Sequence, residues 1–307
     1  MVREATMSLH GLLVVDKPAG MTSHDVVSVL RRVSRQKKIG HTGTLDPAAT
    51  GVLVLCFGSA TRLIQYLEES DKVYEAHMIL GIVTDTQDYT GQVLAEDPAA
   101  QVGRDSLVRV MEKFLGEQLQ VPPMFSAVKR GGRPLYELAR QGQEVERAAR
   151  RMVIYELAPA RPLAEKYRAG EGPWLRIRCS KGTYIRTLCH DMGQALGCGA
   201  HLRELRRLAS GVFTLDQAVS LEQAKTWGEE GVLAEHLLSP ALAVQHLPQL
   251  ELSEEEAVAI RHGRALYRRE VAAEGTIGAA IRHGELVAIL QSQASGIWQP
   301  VRVFMGE

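Results

Sequence analysis

Gly40-His41-Thr42-Gly43-Thr44-Leu45-Asp46-Pro47-Ala48-Ala49-Thr50-Gly51-Val52-Leu53 is the most informative run in this chain. Asp46 stands directly before Pro47, whose ring pushes the preceding backbone towards the extended region. Gly43 and Gly51 permit tight loop geometry on either side. A carboxylate is thereby held in a loop, although an Asp-Pro pair taken alone is an ordinary turn signal.

Outward from this loop the pattern is strand and helix in irregular alternation. Gly11-Leu12-Leu13-Val14-Val15 reads as a buried strand stopped by Lys17-Pro18-Ala19-Gly20, and Thr22 or Ser23 caps a helix through Val26, Val27 and Leu30. Ile39 to Thr50 is expected as loop, the run from Val52 as a second strand, and Ser59 as the cap of a helix through Leu63, Ile64 and Leu67. A strand follows over Val73 to Leu80, then a polar turn over Thr84 to Gly91. After a helix near Leu107 to Leu115, residues Gln118 to Arg151 change character: three prolines, a Gly-Gly pair and six arginines read as an insertion with a short helix around Leu135 to Arg140. Regular structure resumes with Met152 to Tyr155 and Trp174 to Cys179. A Gly-Thr-Tyr turn then opens a helix closed by Gly197 and Gly199, and a strand from Leu202 to Leu208 precedes two polar helices up to about Glu235. From about Leu247, short apolar runs and closely spaced glycines suggest a β-barrel or sandwich of about 60 residues.

Composition narrows the class. A chain of 307 residues with 45% hydrophobic content buries at least one full core. Its longest apolar runs are strand-length, short of a membrane span, and Met1 to Ser8 contains no apolar segment of signal length, so the cytoplasm is the expected compartment. Thirty-six basic and thirty-six acidic residues argue against bulk attraction to nucleic acid. Basic residues nevertheless gather at Arg31 to Lys38, Lys129 to Arg133, Arg147 to Arg151, Arg203 to Arg207 and Arg261 to Arg269, a pattern that solvated faces also explain. Cys56, Cys179, Cys189 and Cys198 form no C-x-x-C pair, and reduced buried thiols are expected rather than a zinc site.

The fourteen-residue run closely resembles the catalytic-aspartate motif of the TruB family of tRNA pseudouridine-55 synthases. The likeness extends to Val14 to Ser23, Asp71-Lys72-Val73-Tyr74, Cys179 to Thr187, Leu196 to Leu202 and Leu205-Arg206-Arg207-Leu208. Order and spacing resemble the family from residue 11 to about 220, with Gln118 to Arg151 falling where those enzymes carry an RNA-gripping insertion. The resemblance implies an α+β fold: a mixed, largely antiparallel sheet catalytic domain (1–240) with flanking helices and a basic insertion (about 118–151), plus a small C-terminal β-rich PUA-like domain (247–307).

The implied reaction breaks the N1–C1′ bond of uridine, turns the uracil, joins C5 to C1′ and removes the C5 proton. It needs a nucleophile or electrostatic stabiliser, a group near C5 and a closed pocket, but no metal and no other cofactor. Asp46 is implied as the catalytic group, attacking C1′ or C6 or removing a proton from the sugar. By the same resemblance Arg186 pairs with its carboxylate, and Tyr74 stacks on the uracil and handles the C5 proton. Tyr184 and Leu205 are implied to line the pocket, Lys17 to support the loop, and Asp88 to contact RNA or base. His41 is implied to fill the space vacated when the uridine is extruded. The resemblance also implies that Lys129 and Arg130 belong to a clamp over the T-loop and that the C-terminal domain contacts the acceptor arm. A monomer without an obligatory protein partner is expected, with tRNA as the only macromolecular partner and no membrane. Three other readings are a guide-RNA-dependent relative, disfavoured by the long basic insertion; a non-catalytic RNA-binding module, disfavoured by Asp46, Tyr74 and Arg186 together; and a glycosidase. The last needs a second acid, for which spacing offers no partner to Asp46.

Overall fold

A computed structural model describes residues 8–269 and 272–304. The reading of the N-terminus therefore lies mostly outside the described residues. A ten-stranded sheet forms the body, with strands in the order Val219–Ser220, Gly11–Lys17, Thr50–Phe57, Ala200–Ser210, Lys72–Leu80, Trp174–Cys179, Arg150–Pro159, Gly116–Gln120. Ile39–His41 pairs beside Thr50–Phe57, and Phe213–Thr214 beside Ala200–Ser210. Only the Gly11–Lys17/Val219–Ser220 and Ala200–Ser210/Thr50–Phe57 pairings are parallel, so the sheet is mixed and largely antiparallel, as expected.

Gly11–Lys17 and Thr50–Phe57 are apolar without alternation because both of their faces are covered. One face packs on the helices Ser23–Val33 and Leu221–Glu230; the other meets the Gly58–Leu63 turn and the C-terminal unit. Lys72–Leu80 alternates instead, with Tyr74, Ala76 and Met78 inward and Glu75 and His77 half-exposed. That inward face shares a core with the helices Arg104–Lys113 and Ile185–Leu196.

Thr22 makes the first helix cap in a reciprocal box: its Oγ1 accepts from Asp25 N at 3.0 Å and Thr22 N donates to Asp25 Oδ2 at 2.8 Å. The expected cap at Ser59 is not formed. Gly58, in the left-handed region at φ 57°, starts a 3₁₀ turn (Gly58–Leu63) one residue earlier, followed by the helix Ile64–Glu68. The second polar helix near Glu235 is a 3₁₀ turn, Leu233–His236. The supposed loop from Ile39 contains a short edge strand, Ile39–His41.

The insertion is narrower than expected. Gln118 and Gln120 pair with Met152 and Arg150 at the edge of the sheet, so the segment that leaves the body runs from 121 to 149. Its tip is a hairpin, Lys129–Arg130 with Arg133–Pro134, turned by Gly131 and Gly132, both at positive φ. The C-terminal unit is a five-stranded sheet whose Ala279, Ile281, Leu286 and Ile289 share a core with Leu12, Val52 and Val54 of the body. Among the described residues no helix is long and apolar enough to cross a membrane.

Candidate active site

Asp46 sits in a loop tied down from several directions. Ser23 Oγ accepts from Leu45 N at 2.8 Å and donates to Leu45 O at 3.2 Å, while Gly20 N donates to Pro47 O at 2.8 Å. Ala49 N closes the turn on Asp46 O at 3.0 Å. Lys17 lies wholly inside, where its ammonium donates to the carbonyls of Pro18 (2.8 Å), Met21 (2.6 Å) and Pro47 (3.3 Å). With three donors meeting three carbonyls, Lys17 positions the loop and presents no face to a substrate. Burial pushes its pKa down to about 8, against the pull of Asp46.

The carboxylate meets Arg186 from the start of the Ile185–Leu196 helix. Arg186 Nη2 donates to Asp46 Oδ1 at 3.2 Å, and Nε lies 2.8 Å from Oδ2 without directing its N–H there. The guanidinium is itself buried and is fastened to the carbonyls of Thr86 (3.0 Å) and Phe125 (2.9 Å). Asp46 keeps 39% of its side chain open at the cleft mouth. Dense protein around the rest of the carboxyl raises its pKa above the usual aspartate range; Arg186 opposes this and the like charge of Asp88 adds to it.

Asp88 is a second carboxylate in the same cleft, one that spacing did not reveal as a neighbour of Asp46. Its Oδ2 is 3.7 Å from Arg186 Nη1, while its Oδ1 accepts from Thr86 Oγ1 at 2.8 Å and Thr90 N at 2.9 Å. Bound only to donors, it serves as a second anchor for the guanidinium rather than as the proton-carrying acid of a glycosidase.

The cleft, open to solvent, brings together Asp46, Asp88, Arg186 and Leu205 of the expected residues. Tyr74 packs in the same core as Leu45 and Ala49. Burial raises its phenol pKa, opposed by the guanidinium of Arg207. His41, on its short strand, accepts from Gly43 N through Nδ1 at 3.3 Å and is held towards its neutral form by burial, with Arg207 adding to the effect. Tyr184 precedes the Arg186 helix, its backbone exchanging hydrogen bonds with the Gln120 side chain at 2.8 and 3.0 Å, and does not line the cleft. Lys129 and Arg130 stand away from it on the exposed hairpin.

Arg207 belongs in sequence to a basic cluster and to the Leu205-Arg206-Arg207-Leu208 stretch, neither of which marks it as internal. It is among the largest fully buried side chains, opposite Tyr74 in the ladder, and it donates to Val52 O (2.7 Å) and Gly43 O (3.1 Å). Arg206 of the same cluster pairs with Asp16 at 2.7 Å, and in the first cluster Arg31 donates to Ile39 O at 2.7 Å, so both clusters are partly structural. A bulge explains why Arg207 turns inward. Leu202 faces Met78 but Glu204 faces His77, so Arg203 is the extra residue and inward parity passes to Leu205 and Arg207.

A family profile described as the N-terminal domain of TruB family pseudouridylate synthases matches residues 31–185. Two further profiles, the tRNA pseudouridylate synthase B C-terminal domain and tRNA pseudouridine synthase II, C terminal, match 186–244 and 247–305. A protein of Geobacter sulfurreducens named tRNA pseudouridine synthase B is 48% identical over 300 residues, which are 94% of this chain and 95% of that one. A protein of the same name from Stutzerimonas stutzeri is 43% identical over 309 residues, 100% and 99% of the two chains. Among solved structures, a chain in an H/ACA RNP bound to a substrate RNA containing 2′-deoxyuridine superposes with a TM-score of 0.73 at 27% identity, covering 97% of this chain and 86% of its own length.

Proposed function

The chain belongs to the TruB family of pseudouridylate synthases, and from that premise we propose that it isomerises uridine-55 in the T-loop of tRNA with Asp46 as its catalytic group. It makes pseudouridine in tRNA, an isomerisation without redox change or net hydrolysis. The N1–C1′ bond breaks, the uracil turns, C5 bonds to C1′, and the proton lost from C5 is balanced by one gained at N1. No metal or cofactor enters this balance.

The observation that carries the reading is a carboxylate at the mouth of a cleft, aimed by a buried guanidinium that is itself anchored by Asp88 and two backbone carbonyls. Such preorganisation favours the charge that develops as the glycosidic bond breaks. Tyr74 is the group for the C5 proton: burial favours its neutral phenol, while the guanidinium of Arg207 opposes this and favours the phenolate that would accept that proton. Leu205 supplies an apolar wall for the ring, and His41 occupies the place the uridine leaves. Tyr184, outside the cleft, supports the site by fixing the start of the Arg186 helix through its backbone bonds to Gln120. Lys129 and Arg130 grip phosphates from the hairpin of the insertion. The division into a catalytic domain over 1–240 and an RNA-binding domain over 247–307 is supported by the five-stranded C-terminal sheet. That domain contacts the acceptor arm, and the enzyme works as a cytoplasmic monomer without an obligatory protein partner.

The test uses T-loop stem RNA carrying tritium at C5 of uridine. The parent should release tritium and Asp46→Asn should not. Equal release from both overturns the role of Asp46, and no release from a parent that binds the RNA leaves a binding module instead.

A further inference from the structure

Two residues at the cleft mouth take no part in the chemistry above. Tyr89 and Arg203 line the cleft together with Asp46 and Leu205. The Tyr89 ring lies beneath the Arg203 guanidinium, whose central carbon is 5.0 Å from the ring centroid, yet 44% of Tyr89 remains exposed. An aromatic that were merely packing against protein would be covered; this one keeps ring surface in solvent beside the place where a base must enter.

Both partners are aimed by the backbone. Tyr89 N donates to Leu202 O at 2.9 Å and Leu202 N donates to Gln87 O at 3.0 Å, so the loop is laced to the long strand. Asp88 forms a parallel bridge with Leu202, between these two bonds. Gln87 holds a left-handed φ of 63°, a conformation uncommon outside glycine and sustained by these ties. From the strand side, Arg203 is the bulged residue, and a bulge re-aims its side chain.

We propose that Tyr89, backed by Arg203, stacks the nucleobase that adjoins the extruded uridine in the RNA chain, forming a second base site at the mouth of the Asp46 cleft. The inference rests on the RNA-modifying reading and deepens it. Extruding one base from a stacked loop strips a neighbour of its stacking partner. A preset aromatic ring replaces that lost contact whatever the identity of the base, because every base has a π-face. The Arg203 cation strengthens the platform and brings positive charge to the phosphodiester beside it.

The experiment measures RNA affinity by fluorescence anisotropy for the parent, Tyr89→Ala, Tyr89→Phe and Arg203→Gln. Three T-loop stem RNAs are used: intact, abasic immediately 5′ of the target uridine, and abasic immediately 3′ of it. Tyr89→Ala should weaken binding of intact RNA about tenfold, with Tyr89→Phe recovering it to within about twofold. On one abasic RNA, parent and Tyr89→Ala should bind alike. Arg203→Gln, which keeps every backbone tie of Tyr89, should weaken binding of intact RNA by about two- to threefold and lose that effect on the same abasic RNA. The proposal is overturned if Tyr89→Ala binds intact RNA within about twofold of the parent, or if its deficit persists on both abasic RNAs. Should Tyr89→Ala fail to fold, the Arg203→Gln series decides by the same criterion. Because affinity is read without turnover, a parent that binds but releases no tritium sinks the Asp46 chemistry alone, whereas turnover without any abasic dependence sinks this site alone.

Discussion

The Asp46 loop and the Lys129–Pro134 hairpin are both short, glycine-bearing segments, but they are held in opposite ways. Around Asp46, side chains from four other places in the chain reach in: Arg186 binds its carboxylate, and Lys17, Ser23 and Arg207 bind the backbone of Pro47, Leu45 and Gly43 in the same loop. The hairpin's links to the body lie at its roots, through Gln120 to Tyr184 and through Phe125 O to Arg186, while Arg133 bonds within the insertion to Gln141 at 3.1 Å. Lys129 and Arg130 are exposed and make no ion pair among the described residues. Bond-making needs atoms placed to a fraction of an ångström, whereas a phosphate can be gripped by charges that adjust to it. The roots matter as well, since the same Arg186 that aims Asp46 also holds Phe125, so the two regions meet at one guanidinium.

The contrast predicts that damage to the first region appears in turnover or stability, and damage to the second in affinity. The largest effect belongs to Arg186→Ala. Losing a preorganised donor that stabilises developing charge costs about 3–4 kcal/mol in comparable sites, so tritium release should fall by roughly 10²–10³-fold. RNA affinity should hold within about threefold; a variant that binds poorly but turns over normally would place Arg186 outside the site.

Next comes backbone space. A Cβ on Gly51 meets Arg207 O at 2.1 Å with φ at +102°, while one on Gly132 of the hairpin meets nothing within 4 Å at φ +82°. Gly51→Ala should therefore lose about 3 kcal/mol or more of unfolding free energy in urea and Gly132→Ala only about 1, the cost of the left-handed backbone. Similar losses at the two positions would show that the Asp46 loop is looser than its ties imply.

A smaller effect is expected from Lys129→Ala combined with Arg130→Ala. Each lost phosphate contact removes roughly 0.7–0.9 from the slope of log affinity against log salt, so the pair should flatten it by about 1.5. Turnover at saturating RNA should hardly change, and an unaltered slope would remove the hairpin from the RNA contact.

The smallest effect is a pH shift. With ionised Asp46 as the active form, activity is present above its folded pKa and lost as pH falls through it. Since burial raises that pKa, the acid limb of kcat/KM should lie above the ordinary aspartate range. Asp88→Asn removes the like charge and should move the limb to lower pH; movement the other way would mean that loosening of Arg186 dominates.

Much of the fold was legible because its signals are local. Continuous apolar runs marked the two strands covered on both faces, the Thr22 box marked a helix start, and the Gly-Gly pair marked the hairpin tip. Misreadings also had local causes: a left-handed Gly58 moved a helix start past Ser59, and an edge pairing claimed Gln118 and Gln120 from the insertion. Of the cleft residues, Asp46, Arg186 and Leu205 sit in the motifs that carry the resemblance, whereas Asp88, implied by the resemblance alone, lies in a polar turn whose spacing does not make it a neighbour of Asp46.

By itself the sequence determined which segments are strands, where one carboxylate is held before a proline, and through its long motifs which family to compare. Only the tertiary structure decided which basic side chains are internal and which carboxylates are neighbours. Alternation counted from Leu202 turns Glu204 and Arg206 inward, but one extra residue at Arg203 reverses that parity and buries Arg207 instead, opposite Tyr74. A bulge is set by how two strands pair rather than by either strand alone. The Asp46–Arg186 contact likewise spans 140 positions, and its electrostatics come from burial and neighbours, which exist only once the chain has folded.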